Sequence, residues 1–111
     1  MKKFIVVLFI SLFSFAIASE QEEIENVDCV ILKDENSIIC KYIQERVEFD
    51  KNVTFIWIDP DEEISRSREM TIPAGHGSIY DFRYVDGRKK GIWTFKVKDQ
   101  DKVYETKFEI K

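Results

Sequence analysis

Beyond residue 26, apolar and polar residues alternate with a period of two, which is the pattern of β-strands that bury one face. In the segment 78–84 the aromatic residues have one parity, and Asp81 and Arg83 have the other. No window has the 3.6-residue period that is typical of an amphipathic helix. The pattern predicts seven strands, at residues 27–33, 37–44, 52–59, 68–72, 78–84, 92–98 and 102–110.

Turn-forming residues separate these strands at intervals of roughly 8–12 residues, which favours two packed antiparallel sheets. Pro60 ends the third predicted strand and Pro73 ends the fourth, because proline cannot donate a ladder hydrogen bond. We therefore expect an all-β fold, a seven-stranded antiparallel β-sandwich over residues 27–111.

Over residues 27–111 the pattern resembles the immunoglobulin-like and fibronectin type III superfamily. Trp57 lies in the third strand, where such domains keep a core tryptophan, and the segment 91–97 (GIWTFKV) resembles the entry into their sixth strand. Phe95 stands where antibody-type domains carry the second inter-sheet cysteine. The resemblance implies the fold but carries no function, because many binding, adhesive and structural proteins share it.

The first 18 residues have the pattern of a signal peptide. A basic start (MKK) precedes the apolar run 4–18, which closes on the A-x-A sequence Ala16-Ile17-Ala18. The run is shorter than the roughly 20 residues of a spanning helix. We expect cleavage after Ala18, an acidic arm at 19–26, a periplasmic or secreted domain at 27–111, and no membrane attachment after cleavage. Composition and the stretch 72–78 resemble small exported proteins of Campylobacter-like bacteria.

The charge of the chain excludes some partners. Its formal net charge is -4, and loss of Lys2 and Lys3 with the signal peptide makes the mature chain more acidic by two. Nucleic acid is therefore not an expected partner, because its binding needs a positive surface.

The two cysteines, Cys29 and Cys40, flank a predicted hairpin. If its turn centres on Asp34-Glu35, Ile31 faces Ile38 and the two thiols face each other. In an oxidising compartment this register predicts a structural disulfide. A redox pair is the less favoured interpretation, because such pairs are usually spaced Cys-x-x-Cys.

The stretch around His76, the chain's only histidine, has the composition of a hydrolase or phosphate loop (AGHGS). However, no helix follows Ser78, and Ser78 and Asp81 have opposite parity on one strand. A metal site lacks a second imidazole. We therefore expect no enzymatic activity, no catalytic or metal-binding residues and no cofactor, and we interpret His76 as part of a structural or partner-contact loop.

Two loops are rich in charged residues, and solvation explains the charges of both. Asp59 and Asp61–Glu63 lack the spacing of a calcium loop and are expected to be solvated. Arg88, Lys89 and Lys90 lie at a turn, which is either solvated or a contact for an acidic partner or a glycan.

Asn52 begins an N-x-T sequence, with the acidic Asp50 two residues before it. This resembles the extended acceptor sequence of bacterial N-glycosylation, which needs an exposed, flexible loop in an exported chain. Asn52 is therefore a candidate glycosylation site.

The sequence does not decide whether the three aromatic residues of the segment 78–84 are buried or exposed. Tyr80, Phe82 and Tyr84 are either half of the core or, with Arg83, a Tyr/Arg contact surface of the kind that anchors interfaces. We expect a small exported binding module for a protein partner. The alternative is a structural cell-envelope domain that contacts glycan through Arg88–Lys90.

Overall fold

The computed structural model describes residues 26–111, which form seven strands and one short 3₁₀ helix. The predicted signal peptide (1–18) and all of the acidic arm except Asn26 lie outside the described residues. No helix within 26–111 is long and apolar enough to cross a membrane. The elements are β1 (Asn26–Leu32), the 3₁₀ helix (Lys33–Glu35), β2 (Ser37–Ile43), β3 (Lys51–Ile58), β4 (Ile64–Ile72), β5 (Ser78–Tyr84), β6 (Gly91–Asp99) and β7 (Lys102–Ile110).

The strands form two sheets, one in the order β1-β2-β5 and the other in the order β4-β3-β6-β7. Every pair of neighbours is antiparallel. On one side of the sandwich β1 packs along β7, whereas on the other side β4 and β5 approach each other only briefly. The prediction of an all-β fold with seven strands in two antiparallel sheets is confirmed.

The core lies between the two inner faces. Trp57 and Phe95 are completely buried, and their rings meet edge to face with centroids 5.3 Å apart. Phe55 contacts Phe95 in the same way at 5.0 Å. Each such buried side chain contributes about 1.5–3 kcal/mol of hydrophobic stabilisation. The predicted core position of Trp57 is confirmed. The buried apolar residues are Val27, Ile38, Cys40, Tyr42, Val53, Phe55, Ile56, Trp57, Ile72, Trp93, Phe95, Val97 and Ile110.

A buried carboxylate joins the sheets near one end of the sandwich. Asp99 of β6 is 4% exposed. The Tyr42 hydroxyl of β2 donates to Asp99 Oδ2 at 2.7 Å, and Lys51 Nζ lies 2.9 Å from the same oxygen. Since a buried polar group is costly unless it is hydrogen-bonded, this contact favours one alignment of the two sheets.

The hairpin has the predicted register. Cys29 lies opposite Cys40 and Ile31 opposite Ile38, and the cysteines form a disulfide with their Cα atoms 4.0 Å apart. The turn is a 3₁₀ helix that ends at Asn36, whose φ of 55° is left-handed. Asparagine tolerates this conformation better than most residues.

One strand boundary differs from the prediction by more than one residue. β4 begins at Ile64 rather than at residue 68, so part of the predicted charged connection belongs to a strand. Arg66 pairs with Trp57 and Arg68 with Phe55 along β3. The sequence pattern missed this stretch because the inward positions carry arginines instead of apolar residues.

Replacement of both cysteines (Cys29→Ala/Cys40→Ala) is expected to lower the free energy of unfolding by about 2–3 kcal/mol, because the unfolded chain loses a constraint. Urea unfolding followed by tryptophan fluorescence measures the change. Wild-type protein under a thiol reductant is the control, since its side chains are otherwise intact. Equal midpoints for the oxidised and reduced wild-type protein would contradict the stabilising role.

Candidate functional site

The aromatic residues of β5 point away from the core. Tyr80 and Tyr84 are each 60% exposed and Phe82 is 46% exposed, whereas Asp81, between them, is 5% exposed. Of the two alternatives that the sequence left open, the structure shows the exposed one. The strand is unusual, because its charged residues face inward and its aromatic residues face solvent.

These aromatic residues belong to a largely apolar surface on the outside of the β1-β2-β5 sheet, which is interrupted by Lys41 opposite Tyr80 and by Ser37 opposite Tyr84. Phe82 pairs with Ile39 of β2, and Ile39 pairs with Val30 of β1. We call this surface the aromatic face; its members are Val30, Leu32, Ile39, Ile43, Tyr80, Phe82 and Tyr84.

The aromatic face is large for a domain of this size. Its three half-exposed rings alone present roughly 300 Å². With the aliphatic side chains added, the surface matches the largest apolar patch of an ordinary monomer, about 300–600 Å². A groove of ≈ 310 Å³ lies on its β1–β2 side, between Val30 and Ile43. Within the face, Asp28 lies opposite Lys41, so the charges there are balanced.

The charges of β5 face inward because Asp81 has donors there. Trp57 Nε1 donates to Asp81 Oδ2 at 3.0 Å, and Arg68 Nη1 donates to Oδ1 at 3.0 Å. Arg66 Nη1 lies 3.2 Å from both oxygens, and the Phe82 N–H donates to Oδ1 at 3.0 Å. One carboxylate of the β1-β2-β5 sheet therefore accepts hydrogen bonds from two strands of the other sheet.

The Arg83 side chain also points to the inner face of its sheet, into the opening between β4 and β5, rather than onto the aromatic face. Its guanidinium carbon is 5.3 Å from the Trp57 ring and 6.0 Å from the Trp93 ring, and Nη1 donates to Ser65 Oγ at 3.0 Å. Burial, followed by the neighbouring charges of Arg88 and Arg66, lowers the pKa of Arg83 to about 10. The side chain still carries its charge at neutral pH. The predicted grouping of Arg83 with Tyr80 and Tyr84 on one surface is therefore not what the structure shows.

The opening between β4 and β5 holds more positive than negative charge. Arg66 and Arg68 are bonded to Asp81 alone among the acidic residues of the described chain, and Arg83 to none. Sequence reasoning missed Arg66 and Arg68, which fell in a predicted connection and at the edge of a predicted strand. The only available signal was their even spacing, which matches the period of a strand.

The loop that contains His76 is a structured connection. The Val47 N–H donates to the His76 carbonyl at 3.1 Å, and the Gln44 N–H to the Gly77 carbonyl at 2.8 Å. A Cβ on Gly77 would lie only 2.8 Å from the Gln44 carbonyl oxygen, so glycine is required there. The His76 ring is exposed, and its Nδ1 lies 3.4 Å from the Ala74 carbonyl oxygen.

The residues of the apparent triad do not face one another. Ser78 is exposed on the outer face of β5, whereas Asp81 is buried on the inner face. No group of His, Cys, Asp and Glu side chains within residues 26–111 could hold a metal ion.

The loop 86–90 is partly neutralised. Lys89 Nζ donates to Asp59 Oδ2 at 3.0 Å and to Asp61 Oδ2 at 2.8 Å. These bonds, the one to Asp61 first, raise the pKa of Lys89. Arg88 is half-buried. Of the three cations of this loop, only Lys90 is both exposed and without a salt bridge to the described residues. The expected solvated position of Asp59 is wrong, because this residue is 8% exposed.

Asn52 is exposed at the second position of β3. Its side-chain oxygen accepts a hydrogen bond from Thr71 Oγ1 at 2.7 Å. The acceptor amide is thus accessible but lies in a paired strand rather than in a loop, and its glycosylation stays a prediction.

The predicted contact residues do not form one site. His76 precedes the first residue of β5 and Arg88–Lys90 follow the last, so roughly 20 Å of strand separates them. The structure brings together Tyr80 and Tyr84, and it adds Phe82 and the aliphatic residues of β1 and β2.

Asp81→Asn is expected to lower the free energy of unfolding by about 2 kcal/mol, because it leaves partly buried arginines without their counter-ion. Chemical unfolding measures the change. Arg68→Gln is the matched control: that side chain is half exposed, so its loss is expected to cost less than about 1 kcal/mol. Equal costs for the two variants would contradict the central role of Asp81.

The contribution of Asp59 to stability is expected to depend on pH. The Glu63 N–H, with Lys89 and the Asp61 N–H, holds the pKa of Asp59 below its ordinary value against the opposing effect of burial. A lowered pKa stabilises the fold above the unfolded-state value, about 3.9, and this stabilisation is lost as the pH falls through the folded-state value.

The stability difference between wild type and Asp59→Asn should therefore be constant from about pH 7 to pH 5 and should shrink below about pH 4. Urea midpoints measured across this range test it. A difference that stays constant down to about pH 2.5 would show that the Asp59 carboxylate is not the stabilising group.

Comparison with known proteins does not extend this description. No protein-family model matches the chain, and no curated protein matches it either. The site must therefore be interpreted from its own geometry.

Proposed function

We propose that this chain is an exported β-sandwich module that binds a protein partner through the aromatic face. The observation that carries the proposal is the outward position of Tyr80, Phe82 and Tyr84 beside the exposed aliphatic residues of β1 and β2. Tyrosine and phenylalanine are enriched at protein interfaces. An apolar patch of this size that is open to solvent is often a functional surface.

The shape of the face favours a protein over a sugar as the ligand. The rings of Phe82 and Tyr84 lie 5.8 Å apart and nearly perpendicular, at 80°. They therefore present ridges and gaps into which side chains fit, rather than a flat platform on which a sugar ring stacks. The balanced charges of Asp28 and Lys41 also favour an apolar partner surface with few charges.

The face is rigid before it binds. The disulfide between Cys29 and Cys40 joins β1 to β2, and Asp81 anchors β5 to the other sheet. A preorganised surface pays less conformational entropy on binding. The disulfide is also consistent with a periplasmic or extracellular location, where such bonds persist.

We also infer that the sandwich is of the immunoglobulin-like or fibronectin type III-like kind. The division into three and four strands, with the core Trp57 on β3, is compatible with that resemblance. The alternative function, a glycan-contacting envelope domain that uses Arg88–Lys90, has less support because Lys89 is bound to Asp59 and Asp61.

Removal of the rings tests the proposal. The triple variant Tyr80→Thr/Phe82→Thr/Tyr84→Thr keeps β-forming residues at exposed positions, so it should fold with nearly unchanged stability. Affinity purification from a native periplasmic extract, followed by titration of the recovered partner, should show a loss of affinity of at least about 100-fold.

The matched control is Ile92→Thr/Val103→Thr on the opposite sheet, where the side chains are 50% and 56% exposed. It should retain the partner. Equal retention of the partner by the triple variant, or equal loss by the control, would overturn the proposal.

A further inference from the structure

The disulfide geometry shows which backbone groups of β5 point to the free edge of the sheet. The Cα atoms of Cys29 and Cys40 are 4.0 Å apart, which is the close spacing of a non-hydrogen-bonded antiparallel pair. The backbone groups of Cys40 therefore point away from β1 and toward β5, where Asp81 lies opposite. Cys40 and Asp81 thus form a hydrogen-bonded pair.

By alternation, the backbone N–H and C=O groups of Tyr80, Phe82 and Tyr84 point to the other side of β5. The Phe82 N–H agrees with this, because it donates to the Asp81 side chain instead of to β2. No strand within residues 26–111 pairs with this edge, since β5 is the last strand of its sheet. Within residues 80–84 the edge offers three residues whose backbone groups pair with no strand, beside a partly exposed aromatic row.

The sequence along this edge is self-complementary in the antiparallel sense. Residues 80–84 read Tyr-Asp-Phe-Arg-Tyr. If two copies of β5 align antiparallel about Phe82, Phe82 faces Phe82, Tyr80 faces Tyr84, and Asp81 faces Arg83. Each of these is a favourable cross-strand pair, either aromatic with aromatic or opposite charges.

The edge also excludes the neighbouring registers. Only residues whose backbone groups point outward can form hydrogen-bonded pairs across the new interface. The alignment of the two strands can therefore shift only in steps of two residues. The next alignment in one direction places Asp81 opposite Asp81, and the next in the other direction places Arg83 opposite Arg83. Like charges directly opposite each other are destabilising.

Inward-pointing charges usually protect an edge strand from pairing. Here they protect it from the two neighbouring registers and favour the one centred on Phe82. In that register the Phe82 N–H is transferred from the Asp81 carboxylate to the backbone of the second copy. This transfer frees an acceptor position on Asp81 Oδ1, which lies opposite Arg83 of the second copy. Within the described residues of its own chain, Arg83 forms no salt bridge with a carboxylate.

We propose that two copies of this chain pair through the free edges of β5, in the register centred on Phe82, and form a continuous six-stranded sheet. The two aromatic faces then become neighbours on one side of this sheet. The dimer does not depend on the proposed function, and it would present the proposed binding surface twice. The shared edge is short, so the dimer belongs to the weak class of interfaces.

Sedimentation of the wild-type protein tests the association. We expect monomer at about 10 µM and mostly dimer at about 1 mM. A monomer at the higher concentration would overturn the proposal and would leave the partner-binding proposal untouched, because that proposal needs only one copy.

Cysteine cross-linking tests the register. Phe82→Cys places two thiols opposite each other at the twofold axis, within the separation that a disulfide can bridge. Tyr80→Cys is the control, because its counterpart lies four residues away along the paired strand, yet it is the more exposed position. Under mild oxidation, Phe82→Cys should form covalent dimer at least about tenfold faster.

Tyr80→Cys/Tyr84→Cys should restore cross-linking, since the register places these two positions opposite each other. Peptide mapping must show that Cys29 remains bonded to Cys40 in each variant. Cross-linking that is as fast for Tyr80→Cys as for Phe82→Cys would reflect exposure alone and would overturn the proposed register.

Discussion

The buried carboxylate of Asp81 is the interaction on which the rest of this structure depends. It accepts hydrogen bonds from Trp57 at the centre of the core and from Arg66 and Arg68 on β4, so it ties the edge of one sheet to two strands of the other. An inward carboxylate fixes the parity of β5, because successive side chains on a strand point to opposite faces. Tyr80, Phe82 and Tyr84 lie in solvent as a direct consequence.

Buried ion pairs of this kind add little net stability, but they favour one arrangement over others. The sandwich uses two of them, with Asp81 on its open side and Asp99 bonded to Tyr42 and Lys51 elsewhere. A sheet whose inner face was wholly apolar could shift against its neighbour at small cost. Two buried carboxylates, each bonded to donors across the sandwich, make such shifts unfavourable, because each shift would leave a buried charge unpaired.

The same arrangement leaves the apolar residues of the aromatic face exposed to solvent. The rings of β5 are held by a strand that cannot turn over, and they lie beside a hairpin that a disulfide closes. The rings contribute to the surface and Asp81 to the contact between the sheets, so β5 carries both features on opposite faces. In the proposed dimer, the free edge of the strand would add a second route of association, with the register selected by the alternating charges.

The sequence by itself determined the strand periodicity, all strand boundaries but one to within one residue, and the pairing of Cys29 with Cys40, because these follow from local alternation and from a short turn. It also showed that Ser78 and Asp81 face opposite ways. It did not determine which face of β5 is buried, since a period of two distinguishes two faces without saying which one meets the core. That was decided by the other sheet: the Trp57 indole N–H and the arginines of β4 need a buried acceptor, and Asp81 is the residue within reach.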